Sequence, residues 1–83
     1  MENPGYHISH INKGILGEIS KIQEELDELK DAHEQNSKVM IGVELSDLYG
    51  AIEKYAGIKG FTMEELRKFS DITKRAFNSG RRV

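Results

Sequence analysis

Isoleucine and leucine recur every third or fourth position through Ile8, Ile11, Ile15, Ile19, Ile22, Leu26 and Leu29, and no stretch of the chain alternates apolar with polar residues. The first spacing is that of a helix face, and the missing alternation leaves no strand to predict. At 3.6 residues per turn these seven side chains fall within roughly 80° of arc, a narrow apolar stripe. The only proline is Pro4, so nothing after it forbids helix. Residues 1–7 read as an irregular lead-in. Gly14 and Gly17 weaken the first half of this helix by about 1 kcal/mol each, so its firm start is expected near Lys13.

Two further helices follow. Asn36-Ser37 reads as a break, with Ser37 as N-cap of a second helix over about 38–56. Ile41, Leu45, Leu48, Ile52 and Tyr55 share its inner face, and Gly42 and Gly50 inside it suggest close approach of a neighbouring backbone. Gly57-Ile58-Lys59-Gly60 is expected to end it in the left-handed conformations open to glycine. The third helix, over 62–78, has the clearest start: Thr62 and Glu65 form a capping box and Phe61 and Leu66 a hydrophobic staple. Met63, Leu66, Phe69, Ile72, Ala76 and Phe77 form its predicted buried face, with basic residues in the last turn and Gly80 beyond it. The expected fold class is all-α: a helical hairpin plus a third helix, completing a four-helix-bundle-like core through oligomerisation.

Size drives that last expectation. The chain's 83 residues make a single domain spanning 1–83, whose lone core would be marginal. There is no cysteine to staple it or to bind metal as thiolate, which suits a reducing cytoplasm. No apolar run approaches the ~20 residues that span a bilayer, and Met1 to Tyr6 lack a secretory pattern. A net charge of −2 argues against a nucleic-acid polymer as partner. Acid concentrates between Glu18 and Glu34, and base in Lys74, Arg75, Arg81 and Arg82.

The acidic residues are not equivalent. Taking the first stripe's centre as zero, Glu25 lies roughly 80° and Glu28 roughly 140° round the helix on one side, while Glu24 and Asp27 point nearly away from the core. On the second helix Glu44 and Asp47 lie roughly 70° and 130° off, again on one side. Each helix therefore offers an i,i+3 carboxylate pair. A hairpin would bring all four to one rim, where repulsion and lost hydration call for a cation. An oxygen-only donor set suits Mg²⁺, or Mn²⁺, better than zinc.

Glu24-Glu25-Leu26-Asp27-Glu28, then fifteen residues, then Glu44-Leu45-Ser46-Asp47 resembles the paired motif of the MazG-like all-α NTP pyrophosphohydrolase superfamily. The similarity covers roughly residues 15–56, and the Lys74–Arg82 ending looks like that of small phage and bacterial members. The resemblance implies hydrolysis of a (d)NTP to a monophosphate and pyrophosphate, with Mg²⁺ held by Glu25, Glu28, Glu44 and Asp47. It makes Glu24 a supporting catalytic acid or the group that orients water, and implies a homodimer or homotetramer. Lys21 and Lys54 share the carboxylates' side of their helices and are candidate phosphate contacts, as are Arg75 and Asn78; ordinary ion pairing is the simpler role for the lysines. His7 and His10 lack an evident third ligand and read as a loop or surface pair, and His33 as solvent-facing. Tyr49 and Tyr55 read as core or interface aromatics, and no glycine-rich phosphate loop is present. Two alternatives stay open: a non-catalytic helical interaction module, and a hydrolase of another pyrophosphate-linked nucleotide such as an alarmone.

Overall fold

The computed structural model describes residues 7–78, which form three helices: α1 (Ile19–Glu34), α2 (Lys38–Ile58) and α3 (Met63–Asn78). No strand occurs among the described residues.

α1 begins later than the isoleucine spacing predicts. Gly17 turns the chain with φ +96°, and residues 7–14 run back along α1, whose firm start was expected near Lys13. A helix would have satisfied the amides of this arm with its own carbonyls; two buried carboxylates of α1 do so instead. Asp31 accepts from the amides of Ile8 and Ser9 at 3.0 and 2.8 Å, and Glu24 accepts from the Gly14 amide at 2.7 Å. Glycine is required at both bends. A Cβ on Gly14 would collide with the Ser20 carbonyl, and one on Gly17 would meet Ile58 Cδ1.

The break between α1 and α2 lies where the sequence places it. Asn36 adopts a left-handed φ of 54°, and the Ser37 hydroxyl accepts from the Met40 amide at 3.3 Å as N-cap. α2 runs through Gly57, and only Gly60 at φ +92° takes the left-handed form. Gly42 and Gly50 have open space around them among the described residues, so the close approach expected there is absent. Thr62 and Glu65 form the predicted capping box, with the Thr62 amide donating to Glu65 Oε1 at 2.9 Å and the Glu65 amide to Thr62 Oγ1 at 3.1 Å. Phe61 packs edge-on against Phe69, ring centroids 6.4 Å apart.

α1 and α2 pack along one another as a hairpin, and α3 does no more than graze it. The Cα radius of gyration is 15.2 Å, against about 12 Å for a compact chain of this length. What the hairpin buries is unexpected. Its buried residues are Glu24, Glu25, Asp31 and Ala32 on α1 and Glu44, Ala51 and Ala56 on α2. The α1 set is centred roughly 140° round from the isoleucine stripe, of which Ile8, Ile15, Ile19 and Leu26 are exposed and Ile11, Ile22 and Leu29 half-buried. Leu45, placed on the inner face of α2 by its spacing, is also exposed, whereas Ile41, Leu48, Ile52 and Tyr55 are half-buried. Phe69 and Ile72, expected to be buried on α3, are exposed; the side chain of Phe77 and all of Gly80, Arg81 and Arg82 lie outside the described residues. The physical reason is common to all of these. Glu24, Glu25 and Asp31 have amide, lysine or imidazole partners inside this chain, whereas the aliphatic faces are only partly covered among the described residues.

Candidate metal centre

Glu25 and Glu28 stand one turn apart on α1, and Glu44 and Asp47 one turn apart on α2. Because the helices run antiparallel through a three-residue turn, the pairs face each other. One oxygen from each of the four lies within 4.8 Å of the others. Glu44 is fully buried, Glu25 is nearly so, and Asp47 is exposed at the mouth. Oxygen Oε2 of Glu25 is buried with no hydrogen-bond donor. Burial, reinforced by the charge of Glu25, a side-chain hydrogen bond with it, and the charges of Glu44 and Glu24, pushes the Glu28 carboxyl up to about 7.

Lys21 offsets part of this charge, its Nζ lying 3.2 Å from Glu24 Oε1 and 3.3 Å from Glu25 Oε1. Burial by itself would lower the lysine's pKa, but those two carboxylates outweigh it and raise it. The centre opens on a groove of about 930 Å³, lined among others by Lys21, Glu25, Asp47, Gly50, Lys54 and Ile58. Both lysines singled out from the sequence therefore share one groove with two of the carboxylates. Arg75 and Asn78 sit on α3 and do not line it.

Two side chains, Glu24 and His7, differ from their sequence reading. Glu24, predicted to point away from the core, is buried because residues 13 and 14 fold over it. Burial alone would raise its carboxyl, but the Gly14 amide, Lys21 and Lys13 together hold it below the ordinary range. It stands outside the four-carboxylate group and accepts from the Gly14 amide and from Lys21 Nζ, tying the arm and the lysine in place. Asp27 accepts from Gln23 at 2.9 Å on the outer side, half-buried. The largest correction concerns His7, which is no surface group. Its Nε2 lies 3.7 Å from Glu28 Oε1 and 3.5 Å from Glu44 Oε2, and its Nδ1 lies 3.3 Å from Asp31 Oδ1. No local pattern marks this, since the arm that carries His7 reaches the centre only through the turn at Gly17. His10, bonded to Asn12, and His33 are exposed as expected.

No helix among the described residues is long and apolar enough to cross a membrane. Comparison with protein families, with curated proteins and with solved structures yields no match to this chain.

Proposed function

We propose that the chain is a Mg²⁺-dependent nucleoside triphosphate pyrophosphohydrolase of the MazG-like all-α type, cleaving (d)NTPs to (d)NMP and pyrophosphate. One observation carries the reading: four carboxylates from two i,i+3 pairs, one oxygen of each within 4.8 Å of the rest, at the edge of a groove that also holds two lysines. The donor set fits a hard divalent ion, being all oxygen. The buried Glu25 Oε2 without a donor is the orphaned atom such an ion would satisfy. Glu25, Glu28, Glu44 and Asp47 would hold it. When bound, Mg²⁺ supplies positive charge against the phosphates and lowers the pKa of water.

The remaining tasks fall to the chain itself. Lys21, steadied by Glu24, and Lys54 present ammonium groups to the groove, where they can bind the leaving β- and γ-phosphates. A carboxylate of the cluster accepts the proton of the attacking water. Water adds at the α phosphorus, the bond from that phosphorus to the bridging oxygen breaks, and pyrophosphate departs with the bond's electrons.

The active species is a homodimer or a dimer of dimers in this reading. Support comes from the aliphatic faces left outside the hairpin and from the amphipathic α3, because a helix of 16 residues without tertiary packing is marginal in water. Pairing two hairpins would bury those faces in a four-helix core. A purely structural module would need the same faces, but it gives no reason to cluster carboxylates at the cost of their hydration.

The test is pyrophosphate release from a panel of canonical and modified (d)NTPs and an alarmone, with Mg²⁺ and with EDTA. Release is expected from at least one (d)NTP, abolished by EDTA and reduced by at least about a hundredfold in Glu44→Gln, the loss typical of removing a preorganised charged group. Release from no (d)NTP, or release indifferent to Glu44→Gln, overturns the reading. Cleavage of the alarmone alone would transfer the site to the other nucleotide class.

A further inference from the structure

His7 enters the centre with a chemistry that the paired acidic motif does not contain. Its side chain is 12% exposed, and the fold-back arm holds it there through Asp31. Asp31 binds the arm's backbone at Ile8 and Ser9 and also accepts from Gln35 Nε2 at 2.7 Å. With its oxygens accepting from two amides and the Gln35 side chain, Asp31 acts as a carboxylate acceptor. An ionised carboxylate only accepts hydrogen bonds, so the imidazole donates Nδ1–H to Asp31. That leaves Nε2 facing Glu28 Oε1 at 3.7 Å and Glu44 Oε2 at 3.5 Å.

His7, Glu28 and Glu44 each bring one donor atom to this point, and the three atoms lie within 4.8 Å of one another, a grouping that could hold one ion. The two distances from Nε2, 3.7 and 3.5 Å, are a little longer than the roughly 3.0–3.4 Å at which ligands about 2.1 Å from a common metal stand apart. A carboxylate behind the far ring nitrogen is how proteins commonly fix a metal-bound imidazole. The neighbouring Glu25 Oε2, buried with no donor, marks the same interior as short of positive charge by an independent observation.

We propose that His7, Glu28 and Glu44 form a mixed nitrogen–oxygen subsite for a divalent transition ion of the Mn²⁺–Co²⁺ class, adjoining the all-oxygen site and sharing Glu28 and Glu44 with it. Asp31 is its positioning residue. The inference rests on the carboxylate cluster being a metal centre and adds a donor that Mg²⁺ uses poorly and Mn²⁺ and Co²⁺ use well. The centre then discriminates among ions through His7.

The experiment loads the full chain with Co²⁺ and follows the proton NMR spectrum with histidine-selective ¹⁵N labelling. One exchangeable imidazole N–H signal, that of His7 Nδ1–H, is expected to shift paramagnetically. It should persist in His10→Gln and His33→Gln and vanish in His7→Gln. In calorimetric titrations His7→Gln should weaken Co²⁺ binding by about tenfold or more, the scale at which even a metal ligand's hydrogen-bond partners act. Its Mg²⁺ affinity should change by less than about threefold, because the oxygen donors remain. Absence of the shifted signal in the wild-type chain overturns the proposal without reference to any variant. So does a His7→Gln chain that keeps Co²⁺ affinity, or binds both ions more tightly, since the latter means His7 is an imidazolium competing with the metal. Those results would leave the carboxylate centre standing if Mg²⁺ still binds and Glu44→Gln abolishes it. Failure of the wild-type chain to bind either ion would remove both readings together.

Discussion

Substituting Glu28 by Gln should stabilise the metal-free protein at pH 8 and leave it almost unchanged at pH 4. Burial, then the charge of Glu25 and a side-chain hydrogen bond with it, then the charges of Glu44 and Glu24, raise the Glu28 carboxyl from 4.5 to about 7 in the folded chain. A group whose folded value lies above its unfolded value binds its proton more tightly when folded. Its stabilising contribution is therefore complete below about pH 4.5 and is lost as pH rises through about 7. At about 1.4 kcal/mol per pH unit, the loss approaches about 3 kcal/mol. That is an upper value, because neighbouring carboxylates share the proton. The side chain is only 12% exposed, so solvent screens it little. Glutamine is close in shape to the protonated acid and cannot ionise, so it removes this term alone. The assay is urea unfolding by circular dichroism in EDTA at fixed protein concentration, from pH 4 to 8, for wild type and Glu28→Gln. The curves should converge near pH 4 and diverge above pH 6, with the variant more stable by about 2–3 kcal/mol at pH 8. Adding Mg²⁺ should close the gap by stabilising the wild type through binding, while the variant responds weakly. Parallel curves across the whole range would refute the argument that Glu28 ionises at the expense of the fold.

Asp31→Asn should release the arm over residues 7–14, costing about 2–4 kcal/mol because the charged acceptor for two amides, Gln35 and His7 is lost. Limited proteolysis should then cut before α1. Asp31's carboxyl is held below its ordinary 3.8, so its contribution is present above that pH and lost as pH falls through the lower folded value; wild type should lose this stability in acid and Asp31→Asn should not. Phe69→Asp, on the exposed face of α3, should shift the sedimentation coefficient to that of a monomer and leave the α1–α2 hairpin's amide protection intact. An unchanged coefficient would place the subunit contact elsewhere.

Local signals in the chain determine most of the fold. Ser37, Gly60 and the Thr62–Glu65 box mark helix ends by hydrogen bonds and φ values that need only a few neighbouring residues, and these lie where the sequence puts them. Helix geometry also puts Glu25 with Glu28, and Glu44 with Asp47, one turn apart on a shoulder of each helix, so a hairpin suffices to gather them. Two matters were decided only by tertiary structure. Periodicity says which residues share a face, but the face a helix turns inward depends on what is opposite it. Here the arm's amides, Lys21 and His7 hold Glu24 and Asp31 of α1 inside, and much of the isoleucine stripe lies outside. The position of His7 depends in turn on a left-handed turn at Gly17 and on Asp31, twenty-four residues away in sequence. Spacing along a chain carries no information about contacts of that range, because irregular backbone has no period from which to project a side chain.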